Sequence, residues 1–454
     1  MKRFALAAGL CSLAACGGGD TNDPGACPAL TKPTKGGTMH LGTDTGDVEQ
    51  DEVWKASDSP HIVSGHRQRN GTLTIEPCSY VRMVGTGTID VMRTGTIDAS
   101  GTADSPIVFE SNDSALGFEG ISQFFEAKNG EPEDKTGGLV KLSYVTFNGG
   151  GESTNSFTTG VLHGRGSDTS ASGFPLEPHW DVHHVAINGS ASFGAAFETG
   201  SAFTAASEDL TIKDAADGPL LIGWRSAGTV PTGNYSANPK KEIILEYDIT
   251  SLDKDVTIRD RGVPYHMGVY GDSQDMRVGP LAGTATATLT IEAGVQLTFG
   301  TRTIVTVTEN GLLQVNGTAA KPVIFTSESA SPAPGDWGGI RFDAPVRAGS
   351  RIDHAEVRYA GQKDSSTGFV CEVGTSNTVG GFGAIGFAGE PPSAFVTNTT
   401  IRDSASHGIV RGWDTGGLTD LEPTNTFSGI AECKQSYPRR AVPCPDPVPC
   451  DPAL

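Results

Sequence analysis

One stretch of this chain is written twice. Residues 72–111 align with 288–327 at a shift of 216, without gaps, giving 13 identities in 40 positions. Thr72-Leu73-Thr74-Ile75-Glu76 returns as Thr288-Leu289-Thr290-Ile291-Glu292. Gly101-Thr102-Ala103, Pro106, Phe109 and Ser111 return as Gly317-Thr318-Ala319, Pro322, Phe325 and Ser327. Further on, Leu210-Thr211-Ile212-Lys213-Asp214 is echoed by Thr400-Ile401-Arg402-Asp403, and Gly223-Trp224 by Gly412-Trp413. By then the shift has shrunk to about 189, so the first copy carries extra residues in its loops. Self-similar units of this kind point to a solenoid, a propeller or a sandwich array.

Each copy has an apolar period of two. Leu289 and Ile291, Val305 and Val307, and Leu313 and Val315 alternate with Thr, Gln, Asn and Glu. Gly, Asn or Pro punctuates the runs every five to ten residues, and no convincing amphipathic helix of ten residues interrupts them. Such a pattern predicts many short, half-buried strands. Glycine is plentiful at 60 residues, about twice the usual share, as frequent corners require. The formal charge of −20 repels nucleic acid and anionic lipid and argues against both as partners.

Several segments of the second copy carry a family resemblance. Thr288 to Val295, Gly317 to Ser327, Gly335-Asp336-Trp337-Gly338-Gly339-Ile340 and Ala355 to Gly361 resemble, in that order, coils of bacterial right-handed parallel β-helix lipoproteins. The resemblance covers most of residues 60–430 and is looser in the first half, where 113–175 depart from it. It implies an all-β fold: a single right-handed parallel β-helix built from two duplicated halves and stacked coaxially through residues 238–262. Cys78-Ser79 stands where the second copy has Gly294-Val295, so this corner is expected to differ.

The first residues resemble an export signal with a lipobox. Met1-Lys2-Arg3 precedes an apolar run from Phe4 to Leu13, too short to span a bilayer, and Leu13-Ala14-Ala15 leads into Cys16. The resemblance implies a diacylated Cys16, a membrane partner held through that lipid anchor, and the outer membrane of a bacterium with two membranes as location. The expected organisation is a signal over 1–15, a lipid-anchored linker over 16–50, the first copy over 51–254, the second over 255–432, and a Cys- and Pro-rich tail over 433–454.

Cysteine usage agrees with export. Cys27, Cys78, Cys371, Cys433, Cys444 and Cys450 remain after Cys11 and Cys16 are set aside. Six thiols in an oxidising compartment suggest three disulfides out of 15 connectivities. Position along the rod favours Cys27 with Cys78, Cys371 with Cys433, and Cys444 with Cys450.

Parallel β-helices include pectate-lyase-like enzymes, so polysaccharide cleavage has to be weighed. Lys213-Asp214, Arg259-Asp260 and Arg402-Asp403 each follow Thr-Ile, a recurrence that reads as corner chemistry through Asx-turns. His179, His183 and His184 surround Trp180-Asp181, with His163 upstream. Inward Val185 and Ile187 would place His183 inside and His184 outside, which cannot jointly hold a metal. No catalytic, metal or cofactor residue is therefore assigned. Trp224, Trp337 and Trp413 are candidate ligand-stacking residues, though the equivalence of Trp224 and Trp413 favours packing. The expected function is non-catalytic: a rigid acidic surface for adhesion, or for binding an extracellular glycan or surface protein. The alternative is a polysaccharide lyase or hydrolase.

Overall fold

The computed structural model describes residue 27 and residues 37–40, 47–111, 117–124, 137–152, 159–165, 177–198, 200–246, 251–268, 275–363, 381–412, 419–436 and 450. Cys16, Cys371, Trp413 and Cys444 lie outside these residues. The described chain is a parallel β-helix of 37 short strands with two 3₁₀ turns and no α-helix.

The strands form a 14-stranded sheet running the whole length, a 13-stranded sheet confined to the first half, and two five-stranded sheets in the second half. Pairing between successive coils is parallel, as in Ala287–Glu292 against Gly311–Asn316 and Gln296–Phe299 against Val323–Ser327. The period-two pattern explains why these segments are strands. In Gly311–Asn316, Gly311, Leu313 and Val315 are buried while Leu312, Gln314 and Asn316 are half-exposed. In-register stacking then lines inward residues into columns, such as Ile97, Val140 and Trp180 on three successive coils. Aromatic rings join in: Phe109 stacks on Phe147 with centroids 4.8 Å apart, and Phe299 on Trp337 at 4.2 Å. Each buried large apolar side chain contributes about 1.5–3 kcal/mol.

The duplication is visible strand by strand. Thr72–Ile75, Tyr80–Met83 and Thr88–Met92 correspond to Ala287–Glu292, Gln296–Phe299 and Ile304–Val307. Their sheets differ, however. Thr88–Met92 lies in the 14-stranded sheet, whereas its equivalent Ile304–Val307 lies in a five-stranded one; Gln296–Phe299, the equivalent of Tyr80–Met83, has moved into the 14-stranded sheet. The second half is thus coaxial with the first but turned by one face. The junction is strand, as Ile243–Glu246 bridges the halves by pairing with Gly218–Gly223 and Tyr265–Met267.

Corners are made by residues with positive φ. Tyr144, His184 and Asp209 (φ 48, 54 and 51) turn successive first-half coils, and His354 and Asn398 do so in the second half. They also touch along the axis: the Tyr144 and His184 rings stack at 4.4 Å, and His184 Nδ1 lies 2.7 Å from Asp209 Oδ2. A corner at His184 interrupts alternation by one residue, which corrects the expected placement of His183. Trp180, Val182, Val185 and Ile187 point inward, while His183 is half-exposed and lies 3.2 Å from Asp181. Asp214 and Asp403 occupy left-handed corners too, and Asp260 Oδ1 accepts the Gly262 N–H at 2.9 Å in an Asx-turn. Cys78 has φ 70 and Gly294 φ 89, so the two copies turn this corner alike. What differs is the side chain, which in Cys78 is bonded to Cys27.

The other described disulfide joins Cys433 to Cys450. This corrects the expected pairs Cys371–Cys433 and Cys444–Cys450. After Cys433, Gln435 pairs parallel with Ile409 of the last coil, and Ser436 bridges antiparallel to Cys450. Both ends of the apolar column meet polar plugs. Buried Arg411 donates through Nε to Ser436 O at 2.6 Å and through Nη1 to Thr419 O at 3.0 Å at the last coil. Trp54, surrounded by histidines, closes the first coil.

Non-reducing peptide mapping should recover Cys27 joined to Cys78 and Cys433 joined to Cys450. Leu289→Ala, at a fully packed column position, should destabilise the second half by about 2–5 kcal/mol in urea titration; a loss below 1 kcal/mol would contradict a continuous core there.

Candidate functional site

The array is broken in one place. The 13-stranded sheet ends at Gly233–Ala237, and the five-stranded sheet that begins with Val256–Ile258 takes over. Between them the 3₁₀ turn Trp224–Thr229 crosses the step and packs on Val256–Ile258. Close approach requires Gly228, because a Cβ there would sit 3.2 Å from the backbone N and O of Thr257. A cleft of about 630 Å³ opens at this seam, a size that suits a ligand of one or two sugar units.

Its lining is mixed. Pro178, Phe203, Val230 and Pro231 supply apolar surface, and Glu208, Arg259 and Arg261 supply charge. Arg261 donates through Nε and Nη2 to Val230 O at 3.0 and 2.7 Å, while Arg259 Nη1 donates to Gly228 O at 2.9 Å. These bonds fasten the turn to the second half and hold both guanidiniums rigid. Arg259 Nε also lies 3.6 Å from Glu292. Beneath the rim, the Tyr235 hydroxyl donates to Pro231 O at 2.9 Å and the Tyr265 hydroxyl to Arg259 O at 2.8 Å. Burial pushes both phenols upward in pKa, so they stay protonated donors. On the opposite wall, Glu208 Oε1 lies 3.9 Å from His183 Nδ1, whose ring also contacts Asp181.

Fixed guanidiniums suit an anionic or hydroxyl-rich ligand. Glu208 is the single carboxylate among the described lining residues.

The other sequence candidates fall elsewhere. Trp224 and Trp337 are both fully buried, which corrects their proposed role as ligand platforms: neither offers a ring face to solvent. Trp337 stacks on Phe299 and donates its Nε1–H to Arg358 O at 2.9 Å. His179 is buried, and desolvation takes its pKa down to about 4. His163 is buried with its Nε2 3.7 Å from Glu198. Among the described residues no three His, Cys, Asp or Glu side chains converge as a metal site. Sequence reasoning missed the seam cleft, treating Arg259 as one corner residue of several. One signal pointed to it, the Arg-x-Arg spacing after a strand.

Residues 275–370 match the family model described as a pectate-lyase like beta helix domain. No curated protein and no solved structure matches the chain. With its parallel sheets, the match makes this chain a parallel β-helix repeat protein, the matched residues lying wholly within the second half.

Arg261→Met should release the Trp224–Thr229 turn. Hydrogen exchange at residues 224–230 should quicken by an amount equivalent to about 1.5–3 kcal/mol, the range for charge-assisted bonds. Exchange unchanged in that turn would show that Arg261 does not anchor it.

Proposed function

We propose that this chain is a non-catalytic, lipid-anchored cell-envelope protein whose rigid β-helix binds an extracellular glycan or a surface protein, with the seam cleft as the point of contact. One observation carries the reading: Arg259 and Arg261 are locked by backbone carbonyls at the rim of a sugar-sized cleft. Preorganised donors of this kind lose little freedom on binding. Acylation at Cys16 and placement at the outer membrane belong to the same proposal and rest on the lipobox resemblance.

Cleavage of polysaccharide is the second reading, and one cluster favours it. On the outer side of a five-stranded sheet, Arg277, Thr306 and Arg341 stand in register on successive coils, with Asp275 2.7 Å from Arg277 and Asp343 close to Arg341. Burial raises the pKa of Asp343, as a general acid requires.

Screening the mature protein on a glycan array and in depolymerisation assays separates the two. The binding reading expects retention without product, and a loss of affinity of about tenfold in Arg259→Ala, roughly 1.4 kcal/mol. Depolymerisation abolished by Asp343→Asn would overturn it in favour of the enzyme. Independently, Cys16→Ser should shift the protein out of the membrane fraction; an unchanged fraction would sink the anchor.

A further inference from the structure

The N-terminal end of the rod holds a ring cluster that the seam cleft does not use. Trp54, 1% exposed, is flanked by three imidazoles. His40 stacks on it with centroids 4.0 Å apart, His61 stacks at 5.3 Å, and His66 meets it edge-on at 5.4 Å. These residues come from four different strands, Thr38–His40, Glu52–Trp54, His61–Val63 and His66–Gln68.

Hydrogen bonds fix where the protons sit. Lys55 O can only accept, so His61 Nε2 carries a hydrogen and donates to it at 2.9 Å. The Nδ1 of neutral His61 is then a lone pair, and it accepts from His40 Nε2 at 3.1 Å. His40 Nδ1 faces Glu52 Oε1 at 3.6 Å, and Trp54 Nε1 donates to the same carboxylate at 2.6 Å. The Gln68 amide nitrogen donates to the carbonyls of Gln50 and Asn70, which turns its oxygen towards His66, so His66 Nε2 donates at 3.0 Å.

We propose that this cluster is an acid-sensitive plug: neutral His61 and His66 close the first coil, and their protonation opens it. A second proton on His61 has only Nδ1 to occupy. It would abolish the bond from His40 and set two N–H donors against each other at 3.1 Å. Glu52 is the one carboxylate shared by all three rings, with Asp58 acting on His61 alone. Nearby Arg67 adds positive charge but is matched by Asp47 and Asp90, and Glu76 is engaged with the backbone N–H of Ala56.

The direction of the pH effect follows. Burial lowers the proton affinity of His61 and His66 below the ordinary 6.5, so the opened coil takes up protons that the closed coil refuses. Stability of the plug is therefore complete above pH 6.5 and declines as pH falls. Glu52 acts in another window. Its bond to His40, together with the Trp54 bond and against the effect of burial, holds it down to about 2, from an ordinary 4.5, so Glu52 adds nothing to the trend between 6.5 and 4.5. Opening would bare the edge of Tyr80–Met83, whose bonds His61–Val63 otherwise takes. Such an edge can pair with another extended chain, while the Cys27–Cys78 disulfide keeps the released segment tethered for reclosing.

Amide hydrogen exchange on the full oxidised chain at pH 7.5 and 5.0, corrected for intrinsic rates, tests the proposal. Peptides within residues 37–68 should lose about tenfold or more of their protection at pH 5.0, while peptides within 287–327 keep theirs. Equal protection at both pH values, or a loss spread evenly along the rod, would overturn it. The double variant His61→Gln and His66→Gln keeps donors and acceptors without titrating and should abolish the difference; a folded variant that still responds refutes the mechanism. Should that variant lack protection even at pH 7.5, histidine titration by NMR on the unaltered protein decides. The plug stands if the assigned resonances of His61 and His66 both titrate below 6.5, and falls otherwise.

Discussion

Backbone hydrogen bonds between successive coils are the interaction on which the rest of this molecule depends. A strand here pairs only with its equivalents one coil away, at the usual spacing of about 4.8 Å. That spacing forces side chains at the same position of neighbouring coils into contact. Inward columns must then be apolar, because a buried polar group without a partner costs more than the column can supply. Outward columns become ladders in which side chains of neighbouring coils meet, as at Arg277, Thr306 and Arg341. A site on such a surface is a repeated interaction read along the axis, and a departure from repetition is what makes one place different from its neighbours.

The seam is that departure. Duplication alone would have stacked the second half in phase with the first. Instead the equivalent strands occupy different sheets, and the 3₁₀ turn Trp224–Thr229 and the strand Gly233–Ala237 fill the step. The step cannot be covered by strand pairing, so arginine side chains reach across to the turn's carbonyls. The cleft and its rigid cations thus share one cause, the failure of two copies to continue in register.

Strand positions and the apolar columns were legible in the sequence because period-two alternation is a local property. Leu289, Ile291, Leu313 and Val315 are buried as the pattern requires. Corners were less legible. His184 sits in a left-handed conformation that nothing in its identity announces, and one such residue moves His183 from the inner face to the outer. Trp224 and Trp337 misled for a different reason. Large aromatic rings are plausible on a sugar-binding face, yet Trp337 is buried by stacking on Phe299, and Trp224 is buried in the 3₁₀ turn. The pairing of Cys433 with Cys450 depended on how the tail folds back, and prolines in the intervening sequence spoke for a shorter loop.

The disulfide near the N-terminus has a mechanical consequence. Hydrogen bonds between coils lie along the rod axis, so tension on the chain ends would peel coils away one after another, at low force and from the outermost inward. A pull applied ahead of Cys27, however, passes through its sulfur bond directly to Cys78 and leaves residues 28–77 out of the load path. The first coils, with the Trp54 ring cluster among them, are shielded from stretching, and strain enters the rod at Tyr80–Met83. Under tension on the N-terminal segment, the covalent link works as a strain relief for the first coils.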